Sequence, residues 1–292
     1  MSAERPGLGV GGTDAGRSPL GIVAGGGRLP LEVADAVTAA GRRVILFRIA
    51  GEADLPAGPH DSHTLGWGQI GRFFDLLAAS GVEEVAFAGT IGRRPSFSSL
   101  VPDLGTIRRL PGIVRGLSGG DDTVIRKMLA LFEAEGYRVA PLGEVAPALL
   151  AGAGVHGRHA PSKADRADVS LGQAFLDRMA PFDVGQAVVV VDGRVVAVEA
   201  AEGTDRMLAR CADLRRGRRF RARGRRGVLV KLPKTVQDRR TDLPVVGLRT
   251  VERAIEAGLA GIAVAAGGTI LVERAATIAA ADRKGLFVEG IA

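Results

Sequence analysis

The chain has 292 residues, 46% of them hydrophobic and 24% charged, a globular composition with length for one large domain or two ordinary ones. Its single cysteine, Cys211, excludes an internal disulfide and suits a reducing compartment, the cytosol first. No apolar run approaches the ~20 residues that span a bilayer, and residues 1–18, glycine-rich and without the apolar stretch of a signal peptide, read as a flexible tail.

The net charge of +7 is a local feature. Eight arginines fall between Arg215 and Arg226, and the rest of the chain is close to neutral. Such a block suits nucleic-acid phosphates, anionic lipid headgroups or a solvated surface segment. Phe220 is its one aromatic residue, so the aromatic stacking used on single strands is missing.

From Leu20 the pattern alternates strand and helix. Leu20–Ala24 reads as a buried strand, Leu31–Ala40 as a helix with Gly41 past its end, and Arg43–Arg48 as a second strand. Ile70–Ala79 has helical spacing, followed by Gly81 and a strand over Glu84–Ala88. A helix capped by Asp121 or Asp122 runs to about Glu135, stops at Gly136 and leads into a strand at Tyr137–Pro141. This succession predicts a Rossmann-like α/β domain with a mostly parallel sheet over 19–145. Residues 146–165, rich in Ala, Gly, His and Pro, read as a linker.

The second domain, 166–292, opens with a helix over Val169–Met179. Two β-branched runs around Asp192-Gly193 then predict a hairpin with a type I′ turn. A helix from Asp205 follows, then strands at Gly227–Lys231, Gly261–Ala265, Thr269–Glu273 and Leu286–Glu289, with helices at Val251–Gly258 and before the last strand. This domain is α/β with a mixed sheet.

Several stretches carry residues suited to chemistry. The first strand enters Gly25-Gly26-Gly27-Arg28-Leu29-Pro30, a geometry that lets backbone N–H groups approach an anion at a helix start. The dinucleotide fingerprint requires a third glycine where Pro30 stands and an acid after the second strand, which ends Phe47-Arg48-Ile49-Ala50 instead. A nicotinamide site is therefore disfavoured, while a tight turn and a phosphate or sugar contact both fit. His60 with His63 and His156 with His159 have metal-compatible spacing but lie in Gly/Pro-rich stretches that read as exposed loops. Neither G-x-S-x-G nor H-E-x-x-H occurs. Cys211 reads as an inert core thiol.

Carboxylates and lysines hold more. In Glu202-Gly203-Thr204-Asp205, Thr204 is a good helix N-cap and Asp205 falls in the first turn, which suits either a phosphate with a nearby cation or a plain capped helix. Farther on, a buried strand ends at Lys231 and Lys234, followed by Gln237, Asp238, Arg240 and Asp242. Lysines that neutralise phosphate oxygens beside an acid that holds a divalent ion would produce this pattern. A solvated loop would produce it as well.

Taken in order, AGGGRLP at 24–30, FAGTIGRRPSFSSLVPD at 87–103, GDD at 120–122, EAAEGTD at 199–205, GVLVKLPKTVQDRRTDLPVVG at 227–247 and the ending GLFVEGI resemble the UDP-2,3-diacylglucosamine diphosphatases of the LpxI type, from about Leu20 to the C-terminus. The glycine-rich extension and the arginine density at 215–226 exceed that pattern.

The resemblance implies two α/β domains joined by a linker, with substrate held between them. It implies a Mg²⁺-dependent hydrolase that splits UDP-2,3-diacylglucosamine into UMP and 2,3-diacylglucosamine 1-phosphate (lipid X) in lipid A synthesis. The essential aspartate of the family corresponds to Asp242, as Mg²⁺ ligand or water-orienting base. Asp205 is expected as a second metal ligand. Gly25, Gly26, Gly27, Thr204, Lys231, Lys234 and Gln237 are expected at the substrate. The arginine block would steer a cytoplasmic enzyme to the inner face of the membrane that delivers its substrate, with no nucleic acid as partner. The alternative is a non-catalytic nucleotide- or nucleic-acid-binding regulatory protein.

Overall fold

A computed structural model describes residues 16–56, 58–92, 103, 105–106, 121–182, 184–219, 224–234 and 243–292, with the backbone alone at 121–127. The chain divides into two compact units, Met1–Ser118 with Lys127–Ala140 and Gly119–Arg126 with Pro141–Ala292.

In the first unit the elements run β1 (Leu20–Ala24), α1 (Leu29–Ala39), β2 (Val44–Ile49), β3 (Asp61–Leu65), α2 (Ile70–Ala79), β4 (Glu84–Ala88), α3 (Asp121–Ala134, of which 127–134 belong to this unit) and β5 (Arg138–Val139). They form a five-stranded sheet in the order β3-β2-β1-β4-β5, parallel throughout. The expected mostly parallel α/β architecture is the one found. β1 is buried along its whole length, as a central strand covered on both faces must be. Gly41, Gly81 and Gly136 stop their helices as expected, each at positive φ, where a residue without Cβ reverses the chain toward the next strand.

Phe132 packs edge-on against Phe73 and Phe87, with ring centroids 5.5 and 5.2 Å away. At the opposite end of the sheet from the glycine turn, the buried Arg42 donates to Ser18 O at 2.9 Å and to Glu84 Oε2 at 2.5 Å, and Arg138 also pairs with Glu84. A buried charge with several donors is tolerated where an isolated one is not.

β3 falls where a histidine-bearing loop was expected. Its sequence, DSHTL, is mostly exposed, so this edge strand lacks the apolar run by which a buried strand is recognised. The His63 ring lies tilted against Phe47, centroids 5.7 Å apart, and His60 Nε2 lies 2.8 Å from Asp35 Oδ1.

The second unit continues with α4 (Leu142–Val145), β6 (Gly154–His156), α5 (Lys163–Met179), β7 (Ala187–Val191), β8 (Arg194–Val198), α6 (Gly203–Arg216), β9 (Val228–Lys231), β10 (Val245–Val246), α7 (Leu248–Glu256), β11 (Gly261–Ala265), β12 (Ile270–Leu271), α8 (Arg274–Arg283) and β13 (Phe287–Ile291). Its six-stranded sheet has the order β6-β13-β11-β9-β7-β8. β9, β11 and β13 are parallel, while β6, β7 and β8 join antiparallel, the mixed sheet with a hairpin that was expected. β10 and β12 pair separately.

Alternation along β7 builds both faces of this core. Ala187, Val189 and Val191 point into a layer with Met207, Leu208, Val251 and Leu259 from the helical side. Val188 and Val190 point into the other, with Val169 of α5 and Phe287. Each such valine is fully or almost fully buried, worth roughly 1.5–3 kcal/mol apiece.

Residues 146–165, expected as a linker, contain β6, whose His156 pairs with Val288 of β13, and the start of α5. That helix begins six residues before the expected Val169, at a capping box: Asp165 N donates to Ser162 Oγ at 3.2 Å and Ser162 N to Asp165 Oδ2 at 2.9 Å. The hairpin turn is as expected, with Asp192 and Gly193 both at positive φ. Their two N–H groups donate to the buried Asp168, at 3.0 and 2.7 Å, which fastens the turn to α5.

Candidate active site

In open α/β sheets ligands gather outside the carboxyl ends of the strands. In the first unit that edge carries the glycine turn, between β1 and β4. Gly25 N donates to Ala88 O at 2.9 Å, Gly26 N to Thr90 O at 2.8 Å and Gly27 N to Asp54 Oδ1 at 3.1 Å. All three amides therefore have protein acceptors, and an anion cradle made of these N–H groups is not what the turn forms. Gly25 serves close packing, since a Cβ there would sit 2.6 Å from Thr90 O, while Gly27 serves the turn itself at a φ of +84°.

In the second unit the carboxyl end of β9 carries a chain of buried polar groups. Lys231, 7% exposed, donates from Nζ to Thr204 Oγ1 at 3.0 Å and to Val245 O at 3.1 Å. Thr204 Oγ1 lies 2.8 Å from Glu199 Oε1, and Glu199 Oε2 accepts from Gln186 N at 3.2 Å. An ammonium can only donate, so the Thr204 hydroxyl accepts from Lys231 and gives its one proton to Glu199. Both Glu199 oxygens act as acceptors.

Thr204 was expected as an N-cap. Glu202 occupies that position instead, with no side-chain cap, and Thr204 is the second residue of α6, its hydroxyl engaged by Glu199 and Lys231. Asp205 does fall in the first turn, and its Oδ2 lies 2.7 Å from Arg249 Nε. Hydrogen bonds from its own backbone N–H and from Arg210 hold the Glu202 carboxyl below its usual range.

Of the residues singled out in the sequence, Thr204 and Lys231 are in direct contact and Asp205 is adjacent. Lys234 lines a small cavity with Asp177, Gln186 and Pro233, where Gln186 Oε1 is buried with no partner among the described residues. Gln237 and Asp242 lie outside the described residues. Sequence reasoning missed Glu199 as a participant, although it opens the EAAEGTD stretch. The one signal was a carboxylate closing the apolar run Val195–Val198.

Among the described residues no group of three His, Cys, Asp or Glu side chains could hold a metal. His156 Nε2 and His159 Nε2 instead lie 3.1 and 3.0 Å from the carbonyls of Gly152 and Asp282. Mg²⁺ needs less than a full protein cage: one or two carboxylates suffice when substrate phosphates and water complete the octahedron. Asp205 fits that donor set: its carboxylate, in the first turn of α6, is partly exposed and pairs with the exposed side chain of Arg249.

The arginine block is not uniform. Arg215 clasps the end of α7, donating to Ala257 O at 3.3 Å and Gly258 O at 2.6 Å. Arg226 lies 3.2 Å from Asp192. Arg216, Arg218 and Arg219 are exposed. No helix among the described residues is long and apolar enough to cross a membrane.

Comparison with known proteins covers both units. The LpxI N-terminal domain matches residues 19–149 and the LpxI C-terminal domain residues 152–289. The UDP-2,3-diacylglucosamine pyrophosphatase LpxI of Caulobacter vibrioides is 42% identical over 272 residues, 93% of this chain and 97% of that protein. With both domain models in order and a relative matched along nearly its full length, the chain belongs to the LpxI family.

Proposed function

We propose that this protein hydrolyses the diphosphate of UDP-2,3-diacylglucosamine in lipid A synthesis, releasing UMP and 2,3-diacylglucosamine 1-phosphate. The observation that carries the reading is 42% identity extending over 97% of a pyrophosphatase of that substrate. A diphosphate repels a nucleophile until its charge is compensated, so the site must concentrate positive charge and fixed dipoles. The uncapped N-terminus of α6 supports this, because its backbone dipoles favour an anion. Lys234, three residues beyond the end of β9, adds a cation near the same strand end.

Asp242, with Asp205, would hold a Mg²⁺ ion that compensates phosphate charge and lowers the pKa of a bound water. Asp242 acts there as ligand or as the base that orients water. Lys231 contributes from behind, through Thr204 and Val245. Gly25–Gly27, with their N–H groups engaged, would meet a nucleotide or sugar only through Cα–H and carbonyl groups.

In the first unit an open groove is lined by Phe47, Phe73, Phe87, Leu131 and Phe132. Its almost wholly apolar wall suits an acyl chain. The exposed Arg216, Arg218 and Arg219 suit an anionic bilayer surface, each worth about 1 kcal/mol near such a surface.

The test is product identification. Phosphorus NMR of the full-length protein with UDP-2,3-diacylglucosamine and Mg²⁺ should show the diphosphate signals replaced by UMP and the sugar 1-phosphate, and chelator should stop the change. An intact diphosphate, with salt-sensitive oligonucleotide binding instead, would favour the non-catalytic alternative.

A further inference from the structure

We propose that Glu199 is a positioning residue for this reaction: through Thr204 it fixes Lys231, and so sets the first turn of α6 against the carboxyl end of β9. The proposal rests on the diphosphatase reading for what is being positioned. Its geometry stands independently.

Four features carry it. First, Glu199, Thr204 and Lys231 are each at most 9% exposed, so their hydrogen bonds form away from competing water and fix geometry. Second, the chain has one direction. Lys231 donates, Thr204 passes its only proton to Glu199, and Gln186 N–H takes the remaining carboxylate oxygen. Third, the backbone is shaped around this carboxylate: a Cβ on Gly185 would lie 2.4 Å from Glu199 Cγ, while Gly185 N donates to Glu199 O at 3.0 Å. Fourth, the chain ends on both sides of the proposed machinery. Thr204 is followed by Asp205 at the start of α6, and Lys231 leads to Lys234 and also holds Val245 O at 3.1 Å.

The directionality makes a selective probe. Glu199→Gln keeps the size of the side chain but has one oxygen for two donors, so either Thr204 or the Gln186 N–H is left unpaired. Thr204→Val keeps the shape and breaks the chain at its middle. Thr204→Ser keeps the hydroxyl.

The experiment compares these variants in the full-length protein for kcat and KM on UDP-2,3-diacylglucosamine, for thermal midpoint, and for hydrogen exchange. For Glu199→Gln and Thr204→Val, kcat should fall about 10- to 100-fold, the range seen when groups supporting a site are removed, with KM changed by less than about threefold. Thr204→Ser should restore kcat. The double variant Glu199→Gln/Thr204→Val should be no worse than either single one, as members of one chain are not additive. Amides at 203–206 and 230–233 should exchange faster while the rest of the sheet is unchanged. Unaltered kcat in Glu199→Gln, or losses that multiply in the double variant, would overturn the proposal. If wild type turns nothing over, the diphosphatase reading fails. The exchange measurement then decides alone: faster local exchange supports the positioning chain and unchanged exchange removes it.

Discussion

Lys231 Nζ lies 3.1 Å from Val245 O, so the last residue of β9 holds the first residue of β10 across the intervening segment 232–244. The same ammonium donates to Thr204 at 3.0 Å. Replacing it with methionine keeps the stem and removes both bonds, leaving the buried Glu199 and Thr204 without their cation. Lys231→Met should cost about 3 kcal/mol in urea unfolding, with the m-value unchanged. A loss below about 0.5 kcal/mol, the scale of an ordinary surface substitution, would show that the ammonium is not held this way.

The glycine turn gives a prediction about packing. Gly25 faces Thr90 O at 2.6 Å from a built Cβ, whereas Gly27 has open space and a φ of +84°. Gly27→Ala should cost about 1 kcal/mol for the left-handed backbone alone. Gly25→Ala forces the turn off β4 and should cost more, about 2–3 kcal/mol. Thermal midpoints in the reverse order would contradict the close packing of Gly25 against Thr90 O.

The arginine block should separate into two behaviours. Arg215→Ala removes the donors on Ala257 O and Gly258 O and should cost about 1–3 kcal/mol in stability. Changing Arg216, Arg218 and Arg219 together to glutamine should leave the thermal midpoint within about 2 °C. The triple variant should also bind vesicles of phosphatidylglycerol and phosphatidylethanolamine several-fold more weakly at 50 mM salt, an effect that fades as salt screens the surface. Equal vesicle binding by the triple variant would remove the proposed membrane role of these residues.

Burial pushes the Cys211 thiol up to about 11 from 9.0, with nearby Arg215 and Arg210 opposing the shift. The folded chain therefore holds this proton where the unfolded chain releases it. The contribution is complete below pH 9 and declines as pH rises through about 11. The stability difference between wild type and Cys211→Ala should be flat up to pH 9 and shrink above it. A difference that grows with pH would contradict the assigned burial.

Much of this fold was legible because its strands are buried on both faces and its helices stop at glycine. Leu20–Ala24, Glu84–Ala88 and Val228–Lys231 announce themselves as apolar runs. β3 and β6 did not, since edge strands need no apolar run and pair through backbone alone. The start of α5 was legible in Ser162-x-x-Asp165 but lay inside a stretch whose glycines and prolines suggested a linker. At the site, residue type pointed to Thr204 and Lys231, yet their partner Glu199 was hidden. A buried carboxylate is defined by what surrounds it, and here Gly185 and Gln186 come from the segment before β7 while Thr204 comes from α6. The engaged amides of Gly25–Gly27 were hidden for the same reason, since their acceptors come from Ala88, Thr90 and Asp54.

Diphosphate hydrolysis through Asp242 is tested by the initial rate of UMP release from UDP-2,3-diacylglucosamine by wild type and Asp242→Asn at saturating Mg²⁺. Loss of a ligand or base acting on the reacting phosphate should lower kcat by at least about 10³-fold, while circular dichroism and the thermal midpoint stay close to wild type. Release by Asp242→Asn within about tenfold of wild type, a change too small for such a group, would contradict the account.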